Sequence, residues 1–128
     1  MAVRLAIAYP QLVKRLVLAW PATGGDPLVD ERNRARLISQ GASEAVADGL
    51  LAAETLRGAR DDQLAGLDVP VAVLPSVPEN PVHQRKTVDS LLKLIPECRE
   101  LPGCPEPPHP NFPSHQAKLV ESFAAFAL

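Results

Sequence analysis

Two short, unbroken apolar runs constrain this 128-residue chain more than any other feature. Leu16-Val17-Leu18-Ala19-Trp20 and Val69-Pro70-Val71-Ala72-Val73-Leu74 show neither the length of a membrane span nor the polar alternation of a half-solvated strand. Runs of this kind belong to strands covered on both faces, hence to a parallel sheet packed between helices. Pro70 is tolerable only near the start of its strand, because proline has no N–H to give to the ladder. A weaker third strand is expected from Cys98 to Leu101, after Pro96.

The connecting segments supply the helices. Val88, Leu91, Leu92 and Ile95 fall at i, i+3, i+4 and i+7, with Arg85, Lys86, Asp89 and Lys93 on the other side. Leu119, Phe123 and Phe126 mark a last helix, and Val3, Ala6 and Ile7 a first one over Ala2 to Tyr9, closed by Pro10. No N-cap residue precedes that first helix; Met1 reads as part of its interior. The order strand–helix–strand–helix predicts an α/β fold of about three parallel strands with right-handed crossovers.

Residues 26–67 break the pattern. Asp26-Pro27 reads as an N-cap followed by proline at the first helical position. Ser43 and Asp61 are further expected caps, and Gly41, Gly58 and Gly66 expected stops. This much helix between two strands exceeds what one crossover needs, and it is expected to form a helical cap-like insertion within one domain, 1–128. Proline is the compositional excess: 14 of 128 residues is about twice the usual share. Eleven of them lie between Pro70 and Pro113.

Several functions drop out on composition. A net charge of −2 from 13 basic and 15 acidic residues leaves no basic footprint for nucleic acid. No apolar run approaches the 18 or so residues of a membrane span. Lys14-Arg15 before Leu16-Val17-Leu18-Ala19-Trp20 imitates a signal peptide, but the apolar stretch ends too soon at Pro21. Two cysteines, Cys98 and Cys104, make no disulfide scaffold and are read as reduced thiols of a cytoplasmic protein. Metal binding is not expected, because C-x-x-C, H-x-x-x-H and H-E-x-x-H are all absent. Nor is a nucleotide cofactor, since Gly24-Gly25 opens no phosphate-binding turn.

Against this background the stretch Ala2-Val3-Arg4-Leu5-Ala6-Ile7-Ala8-Tyr9-Pro10-Gln11-Leu12-Val13-Lys14-Arg15-Leu16-Val17-Leu18 resembles a segment of the α/β-hydrolase superfamily. There, A-x-x-x-A-x-x-x-P-x-x-V-x-x-L-V-L forms the helix behind the nucleophile and the next strand. Val69 to Leu74, then Pro81-Val82-His83, a helix, Ile95-Pro96 and a short strand resemble the family's later half. The resemblance implies a partial α/β-hydrolase fold, its carboxy-terminal half, with 26–67 where such hydrolases carry a helical cap. It implies acyl transfer on ester or amide-type bonds, in which a serine attacks, a histidine is general base and an acid orients that base.

The resemblance also exposes a gap. The family's serine sits in a G-x-S-x-G turn before the helix that here starts at Ala2, which by the family's spacing places it about five residues ahead of Met1. None of Ser39, Ser43, Ser76, Ser90, Ser114 and Ser122 stands between the required glycines. The acid position falls in the loop after the second strand, at Glu79 or at the adjacent Asn80. The histidine position, usually directly after a glycine, holds Gly103-Cys104 instead, and His109 lies five residues further on in Pro107-Pro108-His109-Pro110. Glu79 and His109 are therefore the candidate catalytic residues, each weighed against a plain loop role. Cys104 reads as an inert thiol, His115 as a surface residue and His83 as structural.

Two expectations follow. The first is a hydrolase-fold protein, with a small molecule as its potential substrate, that carries no serine nucleophile. The alternative is a non-catalytic interaction module that pairs through an exposed edge at Leu16–Trp20, as a homodimer or swapped assembly.

Overall fold

The computed structural model describes residues 2–128, so the expectation placed on Met1 lies outside the described residues. The elements run α1 (Ala2–Ala8), β1 (Leu16–Ala19), α2 (Pro27–Ser39), α3 (Glu44–Leu51), α4 (Asp61–Ala65), β2 (Val71–Leu74), α5 (Arg85–Leu94), β3 (Cys98–Glu100) and α6 (Gln116–Ala127), with one-turn 3-10 helices at Pro10–Leu12 and Pro113–His115. The three strands form one parallel sheet in the order β1-β2-β3, with Leu16 opposite Val71 and Val71 opposite Cys98. The fold is α/β, three parallel strands flanked by helices.

The central strand shows why its run is unbroken. All four residues of β2 are buried. Val71 and Val73 face a core built with Val3 and Ala6 of α1, Leu64 of α4, and Val88, Leu91 and Ile95 on and just after α5. Ala72 and Leu74 face the opposite core, with Leu101, Cys104 and Phe126, against which Leu119 and Phe123 pack. One residue of register thus decides which layer a side chain joins. Pro70 lies just before β2, and its carbonyl accepts the Leu16 N–H at 2.9 Å.

Residues between β1 and β2 hold three helices, and two of the expected caps are present. Asp26 Oδ1 accepts from Val29 N–H at 3.2 Å and Ser43 Oγ from Val46 N–H at 3.2 Å. Asp61 is not a cap. The cap position of α4 is Arg60, whose N–H is taken by Gln63 Oε1 at 3.1 Å, while Asp61 Oδ2 accepts from Thr55 Oγ1 at 3.0 Å. Gly41, in the left-handed region at φ 95°, follows α2, and Gly66 ends α4. Gly58 stops no helix: α3 ends at Leu51, and Gly58 serves the turn before α4 with φ 92°.

The β1–α2 connection is bolted to the start of α5. Buried Thr23 shares a 2.8 Å hydroxyl contact with Thr87, and its Oγ1 accepts from Gln84 N–H at 2.9 Å. Gln84 Nε2 then donates to Asp26 Oδ2 at 3.0 Å. The cap of α2 and the first turn of α5 are therefore fixed to each other beside the carboxyl end of the sheet.

Candidate functional site

All three strands end on one side, and the loops that follow β2 and β3 meet there. Val77 N–H donates to Cys104 O at 3.1 Å and Cys104 N–H to Pro75 O at 3.3 Å, which extends the pairing beyond both strands. Trp20, at the end of β1 and in the left-handed region at φ 49°, donates its indole N–H to Cys104 O at 3.1 Å and sets its ring edge-on to Phe112. Gly103 is needed for this approach, since a Cβ there would stand 2.6 Å from Val77 Cγ2 and 3.0 Å from the Pro75 carbonyl oxygen. In open parallel sheets, ligands bind at this end of the strands.

An open cleft of about 340 Å³ lies between the two loops, with Ser76, Glu79 and Asn80 on one wall and Glu106 and His109 on the other. Both candidate residues line it, and no hydrogen bond joins them. Exposed Glu79 accepts from the Arg85 N–H through Oε2 at 2.7 Å and so closes the amino end of α5, where Gln84 provides no side-chain cap. His109 accepts from Asn111 N–H through Nδ1 at 3.1 Å.

The polar side chain that bridges the loops is Glu106, which the sequence reading passed over. Its Oε1 accepts from Asn80 Nδ2 at 2.6 Å, and its Oε2 lies 2.5 Å from His83 Nδ1. The His83 contact has ion-pair distance rather than good hydrogen-bond alignment, yet the buried Nδ1 has no other partner, so Glu106 is what faces it. Asn80 Oδ1 accepts from the N–H groups of Val82 at 3.0 Å and His83 at 3.1 Å. Two backbone donors on one atom identify that atom as oxygen, which turns the amide NH₂ toward Glu106. Asn80, His83 and Glu106 thus form one network across the cleft floor.

Ser76 Oγ donates to Pro78 O at 3.0 Å, and the crevice that Ser76 shares with His83 has no room for a water molecule. Burial pushes the Cys98 thiol up to about 11. Cys104 is raised as well, mainly by burial, with the Trp20 contact working against it. Both therefore stay protonated, weakly nucleophilic thiols at neutral pH. His115 lies in the 3-10 turn that leads into α6 and does not line the cleft. Among the described residues, no group of three or more His, Cys, Asp or Glu side chains converges in a way that could hold a metal ion. Among the same residues, no helix is long and apolar enough to cross a membrane.

A parallel sheet between helices, with its loops meeting at the carboxyl ends, is an open α/β architecture, and comparison with solved structures narrows it to the hydrolase-like kind. Rv0554 from Mycobacterium tuberculosis superposes with a TM-score of 0.65 at 17% identity, over 98% of this chain and 61% of that one. BpoC from M. tuberculosis H37Rv, described as a candidate non-heme bromoperoxidase, gives 0.64 at 16%, over 98% and 63%. NosK from Streptomyces actuosus gives 0.58 at 21%, over 95% and 62%. The chain therefore carries part of an α/β-hydrolase-like fold and spans about three fifths of the length of these neighbours. No protein-family profile and no curated protein matches the sequence.

Proposed function

We propose that this chain is a hydrolase-fold protein with no acyl-transfer activity of its own, and that its cleft serves for binding. The observation that supports this is the Asn80–Glu106 hydrogen bond. Serine hydrolysis needs an acid to orient a histidine and that histidine to reach a nucleophile. Here Glu106 does face His83 Nδ1, but it is shared with the Asn80 amide. Among the described residues no hydrogen bond joins His83 to a serine or cysteine, Ser76 Oγ being turned to Pro78 O. In this reading Glu79 and His109 are ligand-facing groups of the cleft, and residues 26–67 are a cap-like insertion that contributes no residue to its lining.

The test is a fluorophosphonate probe with p-nitrophenyl acetate as a second readout. The expected result is no labelling and hydrolysis at the background rate. Stoichiometric labelling of a serine that is lost on heating would overturn the proposal.

A second reading, self-association through β1, is supported by a specific surface. Among the described residues β1 pairs only with β2, and the segment leading into it exposes Leu5, Tyr9 and Leu12 at 49, 52 and 71%. An unpaired edge beside apolar side chains favours a second copy of the chain. Size-exclusion chromatography with light scattering is expected to give a dimer mass that Leu12→Glu returns to monomer. A monomer at micromolar concentration in the unmodified protein would sink this reading.

A further inference from the structure

Away from the cleft, a cavity of about 280 Å³ opens between α1 and the helices that separate β1 from β2. It shares no lining residue with the cleft. Arg4 of α1, Arg36 of α2 and Arg57, beyond α3, converge on it, and no acidic residue lines it, although the chain as a whole carries more acid than base. Elsewhere Arg34, Arg60 and Arg85 have a carboxylate within 4 Å, while Arg15, Arg32 and Arg99 stand apart from the cavity without one among the described residues. Among the described residues, Arg4, Arg36 and Arg57 have none. Asp30 lies near Arg57, which works to lower its carboxyl, but beyond ion-pair distance; burial and then Asp26 raise that carboxyl on balance.

Two more observations describe what the cavity would accept. Asn33 also lines it, and its Nδ2 is a buried donor with no partner. The remaining wall is apolar, formed by Leu37, Leu50 and Leu51. Arg4 also borders a neighbouring depression of about 330 Å³, lined by Ile7, Ala8 and Ala59 but also by Arg60 and Gln63, so there is space beyond the head group.

We infer that this cavity binds an organic oxyanion, a phosphate or carboxylate head held by Arg4, Arg36 and Arg57 with an apolar arm against Leu37 and Leu50. Three like charges gathered in one concavity repel one another until an anion neutralises them. Guanidinium groups are the donors best shaped for two-pronged contact with either oxyanion. The volume is at the small end for ligand pockets, which suits a single head group and a short arm.

Titration calorimetry on the full chain at low salt tests this with phenyl phosphate, octanoate and inorganic phosphate as probes. Saturable one-site binding of phenyl phosphate or octanoate is expected, and whichever binds more tightly identifies the head group. Arg36→Gln and Arg4→Gln, both at exposed positions, should each weaken it about tenfold. Leu50→Asn should weaken the organic probes and leave inorganic phosphate unchanged. The inference is overturned if neither organic probe binds, or if binding survives in an Arg36→Gln/Arg57→Gln variant whose circular dichroism is unaltered. Equal affinity for phenyl phosphate and inorganic phosphate would overturn the apolar half of it.

Discussion

Replacing Leu91 with alanine is expected to lower the unfolding free energy by about 3 kcal/mol, within the 2–5 kcal/mol range of buried leucine truncations. Leu91 is fully buried at the centre of the inner face of α5, in the same core as Val71 and Val73 of β2 and as Val88 and Ile95. Removing three carbons there loses their burial and leaves a cavity that β2 cannot fill, because its other face is committed to Leu101 and Phe126. Urea titration should show a lower midpoint with an unchanged slope. Heating should show a fall in Tm of roughly 10 °C for a chain of this size. Leu92, only partly buried at the margin of the same core, is the control: its truncation should lose well under half as much. A loss below about 1 kcal/mol at Leu91 would mean that α5 does not pack on β2 as described.

That prediction rests on what the chain makes easiest to read. Four apolar residues at helical spacing, and a strand with no polar residue, each report a burial that repeats along one element, so Val71 to Leu74 and Val88 to Ile95 were legible. Caps are legible when the side chain serves its own helix, as at Asp26 and Ser43. Asp61 failed because a rival donor, Thr55 Oγ1, took its carboxylate while Gln63 satisfied the Arg60 N–H. The cleft was harder for a related reason. Adjacent loop residues point apart, and nothing in the sequence says whether Glu79 or Asn80 faces a partner in another loop. Glu79 turned toward α5 and Asn80 toward Glu106, 26 positions away. The one available signal for Glu106 was its place in Pro105-Glu106-Pro107, whereas Glu79 stood out by its position in the loop after the second strand.

Exchanging the groups of that bridge is expected to decide how the two loops are held. Glu106→Ala strips the facing carboxylate from Asn80 Nδ2 and His83 Nδ1 together. Side chains about a quarter exposed recover part of that loss from water, so a fall of about 2 kcal/mol is expected. Asn80→Asp should lose about as much by a different route. Its Oδ1 can still accept from Val82 and His83, but the other oxygen now faces Glu106 at hydrogen-bond distance, and two carboxylates so close cannot both stay ionised. Like charge raises the folded-state pKa of that pair above its unfolded value. The defect of Asn80→Asp relative to the parent should therefore be full at pH 7 and shrink as the pH falls toward about 4. The Asn80→Asp/Glu106→His double variant restores an acceptor facing a donor. It should be more stable than Asn80→Asp and Glu106→His measured singly predict by addition, with a coupling energy of about 1–2 kcal/mol. Additive losses would show that Asn80 and Glu106 do not hold the loops through each other. A positive coupling without any gain in fluorophosphonate labelling would place the bridge in the architecture of a binding cleft and leave acyl transfer without its nucleophile.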